Sequence, residues 1–236
     1  MTNLPDSEVK SLLAATSTAT LTHLLQQRGY RNVYFSGLRP VGPAARAVGR
    51  ARTLRYTPHR PDLYPDDLSQ NPQRLAIESI EPGEVLVAEA GGELGAGVLG
   101  DILLTRVAKR GGAAFVVDGA VRDPEAIGQL EMPVFVRGIH GAAHMRDLVP
   151  IGHDVPVRCA GCTVVPGDWI VCDANGAAVV PPEVAAEVAA EGVEMDLKEE
   201  YVLELIEGGA STVDVYPPTD DNMQGFPAWK AARGHK

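Results

Sequence analysis

The sequence has few basic residues and few aromatic residues. Its 21 Lys and Arg residues stand against 31 Asp and Glu residues, which gives a formal net charge of −10. Nucleic-acid binding usually depends on a basic patch that neutralises phosphates, so this charge balance argues against a nucleic-acid partner. Aromatic residues make up only 5% of the chain, and aliphatic side chains must therefore fill the core.

Cysteines are also scarce. The three cysteines, Cys159, Cys162 and Cys172, give no closed set of disulfides because their number is odd. The spacing of Cys159 and Cys162 is typical of a metal knuckle or a redox pair. A structural zinc site would need a fourth ligand, and only His153 lies close in the sequence. We therefore interpret the cysteines as small buried side chains.

Long apolar runs are absent as well. No run approaches the roughly 20 residues that a transmembrane helix needs. The first residues, MTNLPDSEVKSLLAATSTATL, carry two acidic residues before the first lysine and lack the apolar core of a signal peptide. The sequence therefore predicts a cytoplasmic protein without a membrane partner.

The order of the sequence patterns predicts an α/β fold. Residues 7–28 have leucines at helical spacing and form one helix, or two short helices split by the Ser/Thr stretch. Strand-like runs follow at 33–38 and 45–58, and residues 59–72 form a loop or insertion rich in Pro and Asp. Residues 84–138 alternate between strand and helix, which indicates βαβ units in a parallel sheet.

The second half of the chain is richer in strands. Short strand-like runs after residue 150 are joined by Pro-Gly and Asn-Gly turns, which predicts antiparallel or barrel-like pairing. A long Glu-rich helix then ends at Gly208-Gly209. We predict one α/β domain over residues 1–210 and a polar tail over 211–236, loosely ordered or packed on a neighbouring subunit.

Two short stretches place charged residues where predicted buried strands end. Asp101 opens a predicted helix after the glycine-rich turn GGELGAGVLG, and the segment DGAVRD, which contains Arg122 and Asp123, follows the strand AAFVV. The carboxyl ends of adjacent parallel strands meet at one edge of a sheet. We therefore expect Asp101, Arg122 and Asp123 to lie close together.

These residues have the chemistry of an anion site beside a divalent metal. The guanidinium of Arg122 can grip a carboxylate with two parallel hydrogen bonds. The amides of Ile102 and Leu103 lie at a helix N-terminus, where they can receive an anionic oxygen. Asp101 and Asp123 supply the carboxylate oxygens that Mg²⁺ or Mn²⁺ prefers. Each residue alone also fits an ordinary cap or turn, so the residues by themselves predict an anion-binding and metal-binding α/β site.

The stretch GELGAGVLGDILLTRVAKRGGAAFVVDGAVRD resembles the signature of the RraA-like proteins. These include 4-hydroxy-4-methyl-2-oxoglutarate / 4-carboxy-4-hydroxy-2-oxoadipate aldolases and the regulator of ribonuclease activity A. The stretch CTVVPGDWIVCDANGAAVVPPEV continues the resemblance, which covers roughly residues 15–210. It implies an α/β/β/α fold of the swivelling phosphohistidine-domain type, with a parallel βαβ core and a β-rich C-terminal half. It also implies a homotrimer or homohexamer with the site at the subunit interface.

The resemblance also implies a role for each site residue. By motif position, Asp123 would bind the metal and Asp101 would hold its waters. Arg122 would bind the substrate and stabilise the enolate, while the amides of Ile102 and Leu103 would bind the pyruvoyl carboxylate. In the aldolases a glutamate of the neighbouring subunit also faces the metal. The candidates in this chain are Glu194, Glu199 and Glu200.

The function that the resemblance implies is that of a class II aldolase. Such an enzyme would use Mg²⁺ or Mn²⁺ to cleave a 4-hydroxy-2-oxo acid to pyruvate and a carbonyl product, with oxaloacetate decarboxylation as a side activity. The alternative is a non-catalytic, protein-binding regulator of ribonuclease activity. The regulators lack the full aspartate pattern, so Arg122-Asp123 favours the enzyme. The insertion at 59–72 could bring His59 or Arg60 to a second carboxylate or to hydroxyls of the substrate.

Overall fold

The computed structural model describes residues 4–43, 46–65, 67–219 and 221–234. Parts of four predictions therefore fall outside the described residues. These parts are the first residues of the chain, residue 45 of a predicted strand, residue 66 of the insertion, and residues 220, 235 and 236 of the tail.

The helices are short, with the exception of α6. In chain order they are α1 (Asp6–Ala15), α2 (Thr18–Gln27), α3 (Pro72–Ser79), α4 (Asp101–Lys109), α5 (Pro124–Ile127), α6 (Pro182–Glu207), α7 (Thr212–Val215) and α8 (Phe226–Ala232). Short 3-10 turns lie at Pro61–Leu63, Leu68–Gln70 and His144–Arg146. Within the described ranges, no helix combines the length and the apolar character needed to cross a bilayer.

The strands are short apart from one. They are β1 (Arg39–Val41), β2 (Ala47–Pro58), β3 (Val85–Glu89), β4 (Ala114–Val117), β5 (Ala120–Val121), β6 (Val134–Val136), β7 (Gly138–Ile139), β8 (Leu148–His153), β9 (Val157–Cys159), β10 (Cys162–Val164), β11 (Trp169–Asp173) and β12 (Gly176–Val180).

The predicted N-terminal helix is two helices, which confirms the second of the two alternatives. Thr16 leaves helical geometry at φ −104° and ψ 136°. Ser17 then caps α2, because its side chain accepts a hydrogen bond from the amide of Thr20. Asp196 on α6 holds this corner by accepting from the amide of Ser17 at 2.7 Å.

The predicted strand over residues 33–38 is wrong. In the described part of the chain this segment makes one isolated bridge, from Tyr34 to Ala178. Gly37 follows with φ +78°, a left-handed conformation that ends an extended run. The apolar residues that suggested a strand are buried nonetheless, as Phe35 is only 1% exposed.

A mixed eight-stranded sheet forms the centre of the molecule. Its order is β1-β6-β4-β3-β2-β11-β12. The remaining strand, β8, pairs with the C-terminal part of β2. The pairs β2–β3, β3–β4 and β4–β6 are parallel, which confirms the predicted βαβ units. The pairs β2–β8, β2–β11 and β11–β12 are antiparallel, which confirms the character predicted for the second half.

Side chains of the parallel strands alternate between two hydrophobic cores. On β3, Val85 and Val87 pack into the core shared with α1, α2 and α6. Leu86 and Ala88 pack into the core shared with α3 and α4. Both faces of the sheet are covered, which explains the near-continuous apolar runs. It follows that α6 lies on the opposite side of the sheet from α3 and α4.

The tail packs on α6 of the same chain. Phe226 on α8 is 5% exposed, and its ring lies 5.9 Å from that of Tyr201 on α6. Trp229 donates a hydrogen bond to Glu204 at 2.8 Å. Aromatic side chains of the tail and of α6 thus form a small apolar cluster. The sequence predicted instead a tail that is loosely ordered or packed on a neighbouring subunit. The domain boundary at residue 210 stays a prediction.

The cysteines are free and buried, as interpreted from the sequence. Cys159 and Cys162 face each other across the β9–β10 hairpin. Burial raises the pKa of Cys162 to about 12, so its thiol stays protonated at neutral pH.

Candidate functional site

A cavity of about 370 Å³ opens where α4 begins, within the size range of small-molecule sites. Its wall combines α3 and the insertion, the loop that enters α4, the loop after β5 and the 3-10 turn near residue 144. The lining residues are Tyr64, Leu68, Asn71, Gln73, Arg74, Gly97, Val98, Leu99, Gly100, Asp101, Ile102, Leu103, Arg122, Asp123, Ala143, His144 and Met145.

The structure brings the predicted site residues together. The strands β3 and β4 are adjacent and parallel, so the loops that follow them meet at one edge of the sheet. The amide of Arg122 donates to the carbonyl of Leu99 at 2.9 Å, which ties one loop to the other. All five predicted residues line the cavity, namely Asp101, Ile102, Leu103, Arg122 and Asp123. Their roles stay predictions.

Two glycines allow the loops to approach this closely. A Cβ on Gly97 would lie 2.5 Å from Cγ of Arg122, and a Cβ on Gly100 would lie 2.6 Å from Oδ2 of Asp123. Another residue at either position would displace the arginine or the carboxylate. The glycine-rich segment therefore places side chains that belong to the neighbouring loop.

Asp123 supplies the cap that α4 lacks on its own. Gly100 occupies the N-cap position of α4 and has no side chain, and Oδ2 of Asp123 accepts from the amide of Asp101 at 3.5 Å. Asp123 adopts φ 54° and ψ 50°, and it makes no side-chain cap to α5, which it precedes. Left-handed backbone outside glycine is uncommon and clusters at functional sites. The carboxylate is thus directed to the start of α4.

The first amides of α4 differ in availability. Oδ1 of Asp101 accepts from the amide of Ile102 at 2.7 Å. The helical ladder begins at Leu104, whose amide donates to the carbonyl of Gly100 at 3.1 Å. Leu103 precedes that ladder at the positive end of the helix dipole. The predicted use of the Ile102 amide therefore requires that Asp101 first release it.

Two polar atoms in the cavity wall are buried without a hydrogen-bond partner among the described residues. They are Nε of Arg122 and Nε2 of His144. Oδ2 of Asp123 lies 3.9 Å from Nε of Arg122, which is beyond hydrogen-bond distance. Buried polar groups are nearly always paired, and an exception needs an explanation, such as a functional role or a bound water or ion. The cavity is therefore suited to a ligand rich in hydrogen-bonding oxygens.

His144 is the main cavity residue that sequence reasoning missed. Its ring stacks on Tyr64 with centroids 6.5 Å apart and meets the edge of Tyr56 at 5.8 Å. Burial, with a smaller contribution from the charge of Arg74, lowers the pKa of His144 to about 4. The imidazole is therefore neutral at pH 7. The loop GIHGAAHMRD contains two histidines, His140 and His144, and their spacing alone does not indicate which of them is buried in the cavity.

Asn71 and Gln73 form a buried polar floor beside His144. Nε2 of Gln73 donates to Oη of Tyr56 at 2.7 Å and to the carbonyl of Val98 at 3.1 Å. Oδ1 of Asn71 accepts from the amide of Gln73 at 2.9 Å and caps α3. The Asn-Pro pair before a helical run is a recognisable start signal, so this cap could have been read from the sequence.

The insertion contributes Tyr64 and Leu68 to the cavity rather than His59 or Arg60. Arg60 pairs with Asp62 at 2.6 Å on the exposed loop, and neither His59 nor Arg60 lines the cavity. An arginine two residues from an aspartate forms a local ion pair more readily than a distant contact. The structure therefore does not support a role for His59 or Arg60 at the substrate.

Asp118 is the first residue of the DGAVRD segment, but its role is structural. Its Oδ1 accepts from the amide of Ala90 at 2.6 Å and its Oδ2 accepts from the amide of Ala160 at 3.4 Å. Burial raises its pKa despite these hydrogen bonds. Asp118 therefore joins the ends of β3 and β4 to the β9–β10 turn, while the last two residues of the segment face the cavity.

The two carboxylates fit a divalent metal that keeps most of its waters. Across the ranges that the structure describes, no three His, Cys, Asp or Glu side chains cluster as a metal site. Mg²⁺ commonly binds through one or two carboxylates and several waters, whereas a structural zinc site needs four protein ligands. Asp101 and Asp123 are therefore a suitable donor set for Mg²⁺ or Mn²⁺, and the metal stays a prediction.

The glutamates predicted to act from a neighbouring subunit lie on α6, across the sheet from α4. Glu194 pairs with Lys230 at 2.6 Å. Burial, and next the charge of Asp196, raises the pKa of Glu199. Neither of these residues nor Glu200 lines the cavity of its own chain. A glutamate of α6 could therefore contribute only from a second subunit, and this stays a prediction.

A family model described as RraA-like, Aldolase/RraA, matches residues 18–179. The chain belongs to this family. The match confirms the family predicted from the glycine-rich signature, and it contains both loops that carry the predicted site residues.

Two RraA-like relatives are named as candidate 4-hydroxy-4-methyl-2-oxoglutarate aldolases. The protein of Halalkalibacterium halodurans is 36% identical over 147 residues, which are 62% of this chain and 65% of that protein. The protein of Burkholderia mallei is 35% identical over 144 residues, which are 60% of this chain and 79% of that protein. The matched segment thus spans slightly less than two thirds of the Halalkalibacterium protein.

A solved RraA-like structure confirms the α/β fold. It is described as an unusual member of the RraA protein family of ribonuclease ES inhibitors, from Streptomyces coelicolor. It is 34% identical with a TM-score of 0.76, over 84% of this chain and 96% of that chain. Relatives of this chain are thus named both as candidate aldolases and as a member of a family of ribonuclease inhibitors.

Proposed function

We propose that this RraA-like protein is a lyase that cleaves a 4-hydroxy-2-oxo acid to pyruvate and a second carbonyl compound, with Mg²⁺ or Mn²⁺. One observation carries the proposal. Arg122, Asp123 and the start of α4 converge in one cavity, and Nε of Arg122 is buried there without a hydrogen-bond partner among the described residues. The names of the Halalkalibacterium and Burkholderia relatives support the same reaction.

Arg122 is the residue that binds the carboxylate of the substrate in this proposal. Its side chain is 41% exposed although Nε is buried, and it lines the cavity. A planar guanidinium binds a carboxylate with two parallel hydrogen bonds. The amide of Leu103 and the dipole of α4 add attraction for the same anion. The pyruvoyl end of the substrate is thus held beside Asp101 and Asp123.

Cleavage breaks the bond between C3 and C4 of the substrate. The hydroxyl on C4 loses its proton as C4 becomes the carbonyl of the departing product, and the bonding electron pair passes into the 2-oxo group as an enolate. A proton added at C3 then completes pyruvate. Asp101 accepts the hydroxyl proton through a water and returns it to C3, while Arg122 stabilises the negative charge at the 2-oxo end.

Asp123 is the proposed metal ligand, with Asp101 holding the waters of the ion. The bound ion would supply Lewis-acid stabilisation of the negative charge that develops during cleavage. Gly100 leaves the space that the Asp123 carboxylate needs. Loss of CO₂ from oxaloacetate develops the same negative charge, so we expect oxaloacetate decarboxylation as a side activity.

The active form in this proposal is a trimer or hexamer with the cavity at a subunit interface. Apolar side chains near the cavity support this, since Ile102 is 78% exposed and Met145 is 52% exposed. Adjacent exposed apolar side chains are typical of interaction surfaces. Sedimentation velocity would measure the assembly directly, and a fully active monomer would contradict it.

Pyruvate release tests the proposed reaction. We would measure it from 4-hydroxy-4-methyl-2-oxoglutarate and from oxaloacetate, first with EDTA and then with added Mg²⁺ or Mn²⁺. We expect release that depends on the metal and is lost in Asp123→Asn. The control is Asp62→Asn, which changes an exposed carboxylate paired with Arg60. Release that survives both EDTA and Asp123→Asn would contradict the proposal.

The second candidate is a non-catalytic inhibitor that binds a ribonuclease. The description of the Streptomyces coelicolor neighbour favours it, and the exposed Ile102 and Met145 suit protein binding as well. This candidate predicts no pyruvate release with any metal. It also predicts that Asp123→Asn binds the ribonuclease as tightly as the wild-type protein, which a titration with the purified ribonuclease would measure.

A further inference from the structure

We propose that the groove between α3 and α4 is a positively charged approach to the cavity, which attracts the anionic substrate from solution. The inference rests on the proposed function, since it concerns how a 2-oxo acid reaches Arg122. The groove has a volume of about 390 Å³, and its lining residues are Arg74, Ile77, Glu78, Ile102, Leu103, Thr105, Arg106 and Lys109.

The groove adjoins the cavity at the start of α4. Three residues line both spaces, namely Arg74, Ile102 and Leu103. Arg106 and Lys109 follow Ile102 by four and seven residues on α4, a spacing that places all three on one face of the helix. A rise of about 1.5 Å per residue puts Lys109 about 10 Å from Ile102 along the helix axis. The groove therefore leads to the end of α4 where the substrate carboxylate is proposed to bind.

Positive charge in the groove exceeds negative charge. Arg106 is compensated, because it pairs with Glu78 at 2.6 Å. Arg74 and Lys109 are exposed and have no ion-pair partner in the described part of the chain. Lys109 also borders a separate depression that contains Glu131, but these two side chains form no ion pair there. Two cations of the groove are therefore left uncompensated by the residues that the structure describes.

The charge of this region differs from that of the whole chain, whose formal net charge is −10. The charged residues that line the cavity and the groove are four cations and three carboxylates: Arg74, Arg106, Lys109 and Arg122, with Glu78, Asp101 and Asp123. A divalent ion at Asp123 would add two further positive charges. A local excess of positive charge in a cleft focuses the field on small anions, which the protein as a whole repels.

A long-range attraction has a signature that a direct contact lacks. It grows with the charge of the ligand, and it declines as salt shortens the screening length, which is about 20 Å at 0.02 M and about 4 Å at 0.5 M. Because Lys109 lies about 10 Å from the start of α4, its effect should be present at the lower concentration and lost at the higher one. The bound substrate and the transition state carry the same charge, so KM should change and kcat should not.

Lys109→Glu tests the groove, because it reverses an exposed charge at a residue that does not line the cavity. Calorimetry with Mg²⁺ would measure the binding of pyruvate, which carries one negative charge, and of 2-oxoglutarate, which carries two. At 0.02 M salt we expect the variant to bind pyruvate about fourfold and 2-oxoglutarate about tenfold more weakly than wild type. At 0.5 M salt both losses should fall below about 1.5-fold. For oxaloacetate decarboxylation at the lower salt, KM should rise about tenfold and kcat should stay within about twofold.

Lys10→Glu is the matched control. Lys10 is also an exposed lysine without an ion-pair partner in the described ranges, but it lies on α1, which packs against the opposite face of the sheet from α4. We expect Lys10→Glu to weaken the binding of pyruvate by less than about 1.5-fold at 0.02 M salt. Lys109→Gln removes one charge where Lys109→Glu changes two, so its effect should be half as large on a logarithmic scale. All three variants should keep the melting temperature of the wild-type protein.

Failure of the groove and failure of the proposed function have different signatures. Equal binding by Lys109→Glu and Lys10→Glu, whether weakened or not, would overturn the inference, because the groove would then act no differently from the rest of the surface. A loss in Lys109→Glu that is the same at both salt concentrations, or the same for both acids, would also overturn it, since such a loss reports a direct contact or a structural change. Wild-type protein that neither binds pyruvate nor releases it from oxaloacetate would instead overturn the proposed function, and the groove would have no substrate to attract.

Discussion

Charged side chains are paired on the surface formed by α6 and the residues that pack on it, which we call the α6 face, but not in the cavity. On the α6 face, Arg28 lies 2.7 Å from Glu187, and Lys230 lies 2.6 Å from Glu194. Both partners of each pair belong to the same chain, and the pairs lie on the surface. Exposed ion pairs of this kind contribute little to stability, but each of them occupies its cation with a carboxylate of the same chain.

The cavity contains the opposite arrangement. Arg122 approaches Asp123 only to 3.9 Å, and Nε2 of His144 has no hydrogen-bond partner within the described ranges. Leaving a buried donor unpaired costs free energy of folding, and a ligand that bonds to it would remove that cost. The charged groups of the α6 face are therefore already paired, whereas the cavity has the character of a binding site. Substitutions in each region can test that distinction.

Arg122→Ala should have the largest effect. We expect kcat/KM for cleavage to fall by about 10²–10³-fold, because the residue that stabilises negative charge is removed. Its side chain is partly exposed, so the free energy of unfolding should change little. The control is Arg106→Ala, which removes a cation paired with Glu78 on the outer face of α4. Equal activity in both variants would remove Arg122 from the site.

His144 should make stability depend on pH. Its pKa is about 4 in the folded protein against an ordinary value of 6.5. Between these values the unfolded chain binds the extra proton, so stability is lost as the pH falls from 6.5 towards 4. By pH 4.5 the loss is roughly 2–3 kcal/mol. Urea unfolding at pH 7 and pH 4.5 measures it, and His144→Phe should show a smaller loss. An equal loss in both proteins would mean that His144 is not buried as a neutral ring.

Gly100→Ala should have an intermediate effect. The new Cβ would meet Oδ2 of Asp123 at 2.6 Å, so the carboxylate must move. We expect a loss of roughly 1–2 kcal/mol in the free energy of unfolding and a fall of about tenfold in cleavage at a fixed Mg²⁺ concentration. The control is Gly141→Ala, because a Cβ there has no heavy atom within 4 Å. Matching effects of the two substitutions would contradict the close approach of the loops.

Each site residue that the sequence predicted lies near a recognisable local pattern, either an apolar run or the glycine-rich turn. The apolar runs before Asp101 and Arg122 predicted buried parallel strands, and parallel pairing of β3 with β4 brings those two residues together. The glycine-rich turn marked where the backbone must come close. Such features depend on neighbours along the chain, so the sequence alone could predict them.

The residues that were missed depend on tertiary packing. Arg74, Tyr64 and His144 come from separate segments of the chain and line one cavity. No spacing along the chain relates these three residues. The strand predicted over 33–38 failed because the backbone turns at Gly37 after a single bridge to β12, although Phe35 is buried.

Arg233→Ala should have the smallest effect, and it tests an ion pair of the α6 face. Arg233 pairs with Glu204 and lies 4.3 Å from the ring centre of Trp229. Because the pair is exposed, we expect the free energy of unfolding to fall by less than about 1 kcal/mol and cleavage to stay within about twofold of wild type. Unfolding followed by Trp229 fluorescence, in a Trp169→Phe background, would report the contact. A large loss of cleavage with normal stability would contradict this division, because it would mean that the α6–α8 surface reaches the cavity of a neighbouring subunit.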